Sequence, residues 1–129
     1  MTYSVLVVDD EPNIVLSLEF LMAQLGLEVA VAHDGEAALE EIARKAPDLV
    51  LLDVMLPKCD GYEVCRKIRT NPTLKDTKVV MLTAKGRDTE RERGFAAGAD
   101  DYITKPFSTR EVNERVRLYL NEKNASCST

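Results

Sequence analysis

Leu49-Val50-Leu51-Leu52-Asp53 is a run of four large apolar residues that stops on a carboxylate, and Val5-Leu6-Val7-Val8-Asp9-Asp10 repeats the pattern near the start of the chain. Runs this short and this continuous read as strands buried on both faces, as at the centre of a parallel sheet. In such a sheet the carboxyl ends of adjacent strands open into a crevice where ligands bind. Three carboxylates in one crevice raise at least one pKa unless a cation offsets them. A hard divalent metal is the simplest resolution.

Outward from these two runs, apolar stretches and helix-period segments alternate five times, the pattern of βα units around a parallel sheet. Strands are expected over residues 4–9, 28–32, 48–53, 78–83 and 101–104. The first, third and fourth are rich in Val, Leu and Met and suit central positions, whereas Glu28-Val29-Ala30-Val31 is milder and suits an edge. The first helix places Ile14, Val15, Leu18, Leu21, Met22 and Leu25 on one stripe, between Pro12 and Gly26. The second follows Asp34-Gly35 and uses Ala38, Leu39, Ile42 and Ala43 before Pro47; the third starts near Asp60-Gly61 and buries Val64, Cys65 and Ile68 before Asn71-Pro72.

The next helical segment, 87–97, begins with seven polar residues, is interrupted by Gly94, and offers only Phe95, Ala96 and Ala97 to a core. It is expected to be weakly held and to be a place of motion. The last helix opens with Ser108-Thr109-Arg110-Glu111, a capping box, and continues through Val112, Val116 and Leu120. Residues 1–123 are expected to form one domain, with 124–129 a polar tail or the start of a linker.

The whole chain, 129 residues with 45% hydrophobic and 30% charged content, matches a soluble globular domain. No apolar run approaches the roughly 20 residues needed to span a bilayer, and Met1-Thr2-Tyr3-Ser4 lacks the basic start of a signal peptide, so a cytoplasmic location without membrane contact is expected. A net charge of -5 disfavours direct nucleic-acid binding by this domain. Cys59, Cys65 and Cys127 form neither a disulfide framework nor a zinc site, and His33 alone gives histidine chemistry little material.

The chemistry therefore belongs to the acids. Mg2+ takes octahedral oxygen ligands, commonly one or two carboxylates with waters and phosphate oxygens. Asp10 and Asp53 can supply the carboxylates, Asp9 can hold a bound water, and a backbone carbonyl just after Asp53 can supply another oxygen. Such a site suits phosphoryl transfer to an acidic nucleophile. Thr83 ends the fourth strand and Lys105 follows the fifth, so a hydroxyl donor and an ammonium converge on the same sheet edge.

With these residues in place, the chain resembles the receiver domain of two-component response regulators. The resemblance covers about residues 3–122 and rests on Asp9-Asp10-Glu11-Pro12, Asp53 through Gly61, Thr83-Ala84, Gly98-Ala99-Asp100-Asp101-Tyr102 and Lys105-Pro106-Phe107. It implies a flavodoxin-like (βα)5 fold, with a five-stranded parallel sheet in the order 2-1-3-4-5 and five helices on its two faces. It also implies that Asp53 accepts a phosphoryl group from a sensor histidine kinase, that Asp10, Asp53 and the Met55 carbonyl bind Mg2+, and that Asp9 assists through water. Thr83 and Lys105 would hold the phosphoryl oxygens, Tyr102 would turn inward as the switch is thrown, and Lys105-Pro106 would be a cis peptide. Such a domain is a phosphoacceptor that catalyses only its own phosphorylation and dephosphorylation.

The likeness is greatest to the branch joined to winged-helix DNA-binding domains, which dimerises on phosphorylation. Arg91, Asp101, Glu111 and Arg115 fit the charges of that dimer face, with Arg91 to Glu111 and Asp101 to Arg115 as pairs between subunits. Within one chain, Glu111 and Arg115 also have the spacing of an ordinary i,i+4 pair. A stand-alone receiver serving as a phosphorelay intermediate or a protein-binding switch is the alternative output. An aspartyl phosphatase would need a second acid two places after Asp53, where this chain has Met55. A flavin module would need bare amides where Asp9-Asp10-Glu11 stands.

Overall fold

Side chains alternate between the two faces of a strand, and in this sheet each face buries its own core. The computed structural model describes residues 3–54, 56, 60–74, 76–84, 96–105 and 107–127. Strands β1 (Ser4–Val8), β2 (Glu28–Ala32), β3 (Leu49–Asp53), β4 (Lys78–Ala84) and β5 (Asp101–Lys105) form one sheet in the order β2-β1-β3-β4-β5, and all four pairings are parallel. Four α-helices are present among the described residues: α1 (Pro12–Gln24), α2 (Gly35–Arg44), α3 (Gly61–Thr70) and α4 (Thr109–Cys127).

Leu6, Val8, Val50, Leu52, Val79, Met81 and Tyr102 face α2 and α3, together with Ile42, Val64, Cys65 and Ile68. The alternate residues Val5, Val7, Leu49, Leu51, Val80, Leu82 and Ile103 face α1 and α4, with Leu18, Met22, Val112 and Val116. β1 and β3 are almost completely buried. Each fully buried Val or Leu in them stabilises the fold by about 1.5–3 kcal/mol relative to exposure. The milder β2 lies at one edge and β5 at the other.

Helix ends follow local chemistry. Pro12 takes the first turn of α1, and Gly26, at φ 79°, closes it while Leu27 N donates to the Met22 carbonyl at 3.2 Å. Asp34 Oδ1 accepts from Ala37 N at 2.8 Å to start α2, Asp60 Oδ1 accepts from Glu63 N at 2.9 Å to start α3, and Ser108 Oγ accepts from Glu111 N at 3.1 Å to start α4.

Several expectations shift. β1 stops at Val8, β3 starts at Leu49, β4 extends to Ala84 and β5 to Lys105. Ala43 is exposed rather than buried, because it lies about 100° around the helix from Ile42, whereas Ala38 shares the buried face. Helix α4 runs to Cys127, into the segment expected as a tail. Of the polar segment 87–97, only Ala96 and Ala97 are described; both are helical and Ala97 is buried.

The chain leaves β1 toward β2 on one side and returns across it to β3 on the other. The crevice therefore opens between the carboxyl ends of β1 and β3.

Candidate functional site

Asp9 directly follows β1, Asp10 follows it, and Asp53 ends β3; one carboxylate oxygen from each lies within 4.8 Å of the others. Asp9 is fully buried and Asp53 is 5% exposed, while Asp10 opens to solvent. Between the two buried carboxylates, repulsion is on the order of 3 kcal/mol at the effective dielectric of such sites. Lys105, at the end of β5, relieves part of it: its ammonium donates to Asp9 Oδ2 at 2.9 Å and stands 3.3 Å from Asp53 Oδ1. Burial pulls the Lys105 pKa down, but the hydrogen bond to Asp9 and the charges of Asp53 and Asp9 more than offset it, leaving the value above that of a free lysine. Asp9 Oδ1 also accepts from Glu11 N at 2.9 Å, which orients the carboxylate.

The backbone of Asp53 rests on the first turn of α3. Gly61 N donates to the Val54 carbonyl at 3.0 Å, and a Cβ at Gly61 would lie 2.4 Å from the Asp53 carbonyl oxygen and 2.9 Å from Val54 Cα. Only glycine permits this approach. The sequence marked Gly61 as the start of a helix; its contact with Asp53 carries no local signal.

Thr83 is buried near the end of β4, one residue beyond Leu82, the register partner of Asp53. Tyr102 lies opposite Met81 on the α3 face of the sheet, 6% exposed. Met55 and Arg91 fall outside the described residues, as does Pro106 and with it the Lys105-Pro106 peptide.

On the α4 side, Arg115 Nη1 donates to Asp101 Oδ2 of the same chain, and the Tyr119 hydroxyl donates to that oxygen at 2.9 Å. Burial first, then the bond to Asp101, pushes the Tyr119 pKa up. Glu111 is exposed in the first turn of α4. The structure thus brings Asp101 and Arg115 together within one chain. Asp9, Asp10, Asp53 and Lys105 converge in the crevice, while Asp101, Glu111 and Arg115 lie on a separate surface.

A cavity of about 260 Å³ between α1 and α4 is lined chiefly by Ile14, Leu18, Leu21, Phe107 and Val112, with Lys105 also in its wall. Leu16 and Phe20 stand exposed on α1 nearby in sequence. Among the described residues, no helix is long and apolar enough to cross a membrane.

Comparison with known proteins agrees with this geometry. The response regulator receiver domain family matches residues 5–117. The alkaline phosphatase synthesis transcriptional regulatory protein PhoP of Bacillus subtilis is 48% identical over 120 residues, covering 93% of this chain and 49% of PhoP. The chain spans about half the length of the curated relatives it matches. A putative response regulator from Chloroflexus aurantiacus superposes with a TM-score of 0.90 at 39% identity, covering 94% of this chain and 99% of the other. The receiver domain of the sensor histidine kinase PA1611 from Pseudomonas aeruginosa, with a magnesium ion coordinated in its active site cleft, gives 0.86 at 30% identity and covers 94% and 99%.

Proposed function

Since the chain belongs to the response regulator receiver domain family, we propose that Asp53 is its phosphoacceptor and that phosphorylation switches the surface formed by segment 87–97, β5 and α4. The observation that carries this reading is the cluster of Asp9, Asp10 and Asp53 within 4.8 Å, with Lys105 beside it. All the donors are hard oxygens at an open crevice, the set that suits Mg2+. Asp10, Asp53 and the Met55 carbonyl would hold the ion, with Asp9 acting through water. When bound, Mg2+ supplies positive charge that offsets the phosphoryl group's repulsion from the acids.

An Asp53 carboxylate oxygen attacks phosphorus as the bond to the donor breaks, and the donor departs with that electron pair. From a sensor histidine kinase the donor is a phosphohistidine and the bond broken is P–N. Lys105 and Thr83 hold the phosphoryl oxygens, Tyr102 stays turned into the core of its face, and the balance between two conformations shifts. Attack by water on phosphorus returns the Asp53 carboxylate and inorganic phosphate. The largely apolar cavity that includes Lys105 in its wall suits the docking of the protein donor.

Wild-type chain incubated with Mg2+ and acetyl phosphate is expected to gain one phosphoryl group by intact mass, and a chelator of divalent ions stops the gain. An unmodified wild-type chain at saturating Mg2+ would falsify the phosphoacceptor reading.

On this reading residues 1–123 are the receiver, 124–129 are a tail or the start of a linker, and the output is transcriptional control, in the cytoplasm, through a DNA-binding domain outside the sequence given. The relatives' length and the name of PhoP support this. The phosphorylated form dimerises through Arg91, Asp101, Glu111 and Arg115. Pairing between subunits then requires Asp101 and Arg115 to exchange the bond they make within one chain. Light scattering should show the mass double when a phosphoryl analogue is added, and Arg115→Ala should weaken the dimer by on the order of tenfold. Equal dimerisation of the variant removes Arg115 from the interface.

A further inference from the structure

The beginnings of the last two strands are fixed at the sheet edge opposite the acids. Arg69, in the last turn of α3, has a side chain only 23% exposed, and its guanidinium divides among three acceptors. Nε donates to the Gly98 carbonyl at 2.6 Å, Nη1 to the Thr77 carbonyl at 2.8 Å, and Nη2 to Asp100 Oδ2. Thr77 immediately precedes β4, and Asp100 immediately precedes β5. Asp100 passes the grip onward: its Oδ2 accepts from Val79 N at 2.8 Å, and its own N donates to the Val79 carbonyl at 2.8 Å. Gly98 has φ 105°, and a Cβ there would lie 2.4 Å from Arg69 Cγ, so the arginine stem passes where any other residue would stand.

β5 needs such an anchor. Among the described residues it pairs with β4 alone, and of its five residues Tyr102 and Ile103 are the buried ones. Two apolar residues specify register weakly. A slip of one place would exchange the faces of Tyr102 and Ile103, and a slip of two would carry Lys105 about 6.6 Å along the strand, out of reach of Asp9 and Asp53.

We propose that Arg69 is a positioning residue for Lys105: by fixing Asp100 against Val79 it sets the β4–β5 register that brings the Lys105 ammonium to Asp9 and Asp53. The rate measurement below rests on the phosphoacceptor reading, whereas the spectroscopic one does not.

The test uses Arg69→Ala, Arg69→Lys, Lys105→Ala and the double variant Arg69→Ala/Lys105→Ala in the full chain. Without any phosphodonor, the Lys105 side-chain methylene resonances in NMR are expected to move in Arg69→Ala. They should return part of the way in Arg69→Lys, since a point cation cannot serve three acceptors. Ile42→Val, which loosens the core away from β5, should leave them in place. With acetyl phosphate and Mg2+, Arg69→Ala should slow phosphorylation by on the order of tenfold or more. It should add nothing in the Lys105→Ala background, because positioning an absent ammonium has no effect. Lys105 resonances that keep their wild-type positions in Arg69→Ala overturn the proposal, as does an equal slowing in both backgrounds. If the wild type takes no phosphoryl group, the phosphoacceptor reading fails while the resonances still decide the role of Arg69. Should Arg69→Ala not fold, Arg69→Lys carries the same comparison.

Discussion

Asp53→Ala is expected to keep its unmodified mass under conditions in which the wild-type chain takes up one phosphoryl group. The other two acids cannot replace it. Asp9 is fully buried and each of its oxygens already accepts a hydrogen bond, one from Glu11 N and one from Lys105, so its carboxylate is held in place and closed off from an incoming phosphorus. Asp10 is the exposed member and lies at the rim. Asp9→Ala and Asp10→Ala should therefore retain uptake at a reduced rate, because they weaken metal binding and leave the nucleophile. The loss in Asp53→Ala should not come from unfolding. Removing Asp53 relieves repulsion with Asp9 of on the order of 3 kcal/mol and takes one of two carboxylate partners from Lys105, which keeps Asp9. These terms oppose, so the unfolding midpoint should stay within a few degrees of wild type. Phosphoryl uptake by Asp53→Ala at the wild-type rate would place the acceptor elsewhere.

Gly61→Ala should damage stability and phosphorylation together. The added methyl would stand 2.4 Å from the Asp53 carbonyl oxygen and 2.9 Å from Val54 Cα, both backbone atoms that cannot swing aside. Either α3 lifts from the sheet or the end of β3 shifts. Overpacking of this kind costs about 1–3 kcal/mol, and a displacement of about 1 Å at a reacting group slows chemistry by on the order of 100-fold. Urea unfolding measures the first and acetyl phosphate kinetics the second. Gly26→Ala separates the two effects: its added methyl meets nothing within 4 Å, so it should incur only the positive-φ strain of about 1–2 kcal/mol and leave the rate alone. A normal phosphorylation rate in Gly61→Ala would show that Asp53 does not depend on this support.

The fold was legible where the signal is local. Four apolar residues before Asp53 read as a buried strand, and Asp34, Asp60 and Ser108 read as helix starts because a cap is a contact between near neighbours. Strand order was not local; it came from the resemblance, and the structure shows it. Ala43 was misplaced because Ala serves either face of a helix. Arg69 went unread because its partners lie 8 to 31 positions away in sequence. Gly61 was read for its helix and not for its neighbour, since a missing side chain shows its purpose only once the opposing backbone is in place. At the site, acids at strand ends announced themselves by their burial cost, and Lys105 by its place on the same edge.

The two edges of the sheet carry a further consequence. β2 begins with Glu28, ion-paired to Lys45, and β5 begins with Asp101, held by Arg115 and Tyr119, and ends with Lys105. Charges at the rims of edge strands discourage another chain's backbone from adding to the ladder. Two copies therefore should not fuse into one continuous ten-stranded sheet; helices and loops are left to do the joining, and such joints can come apart without unpicking a hydrogen-bonded seam.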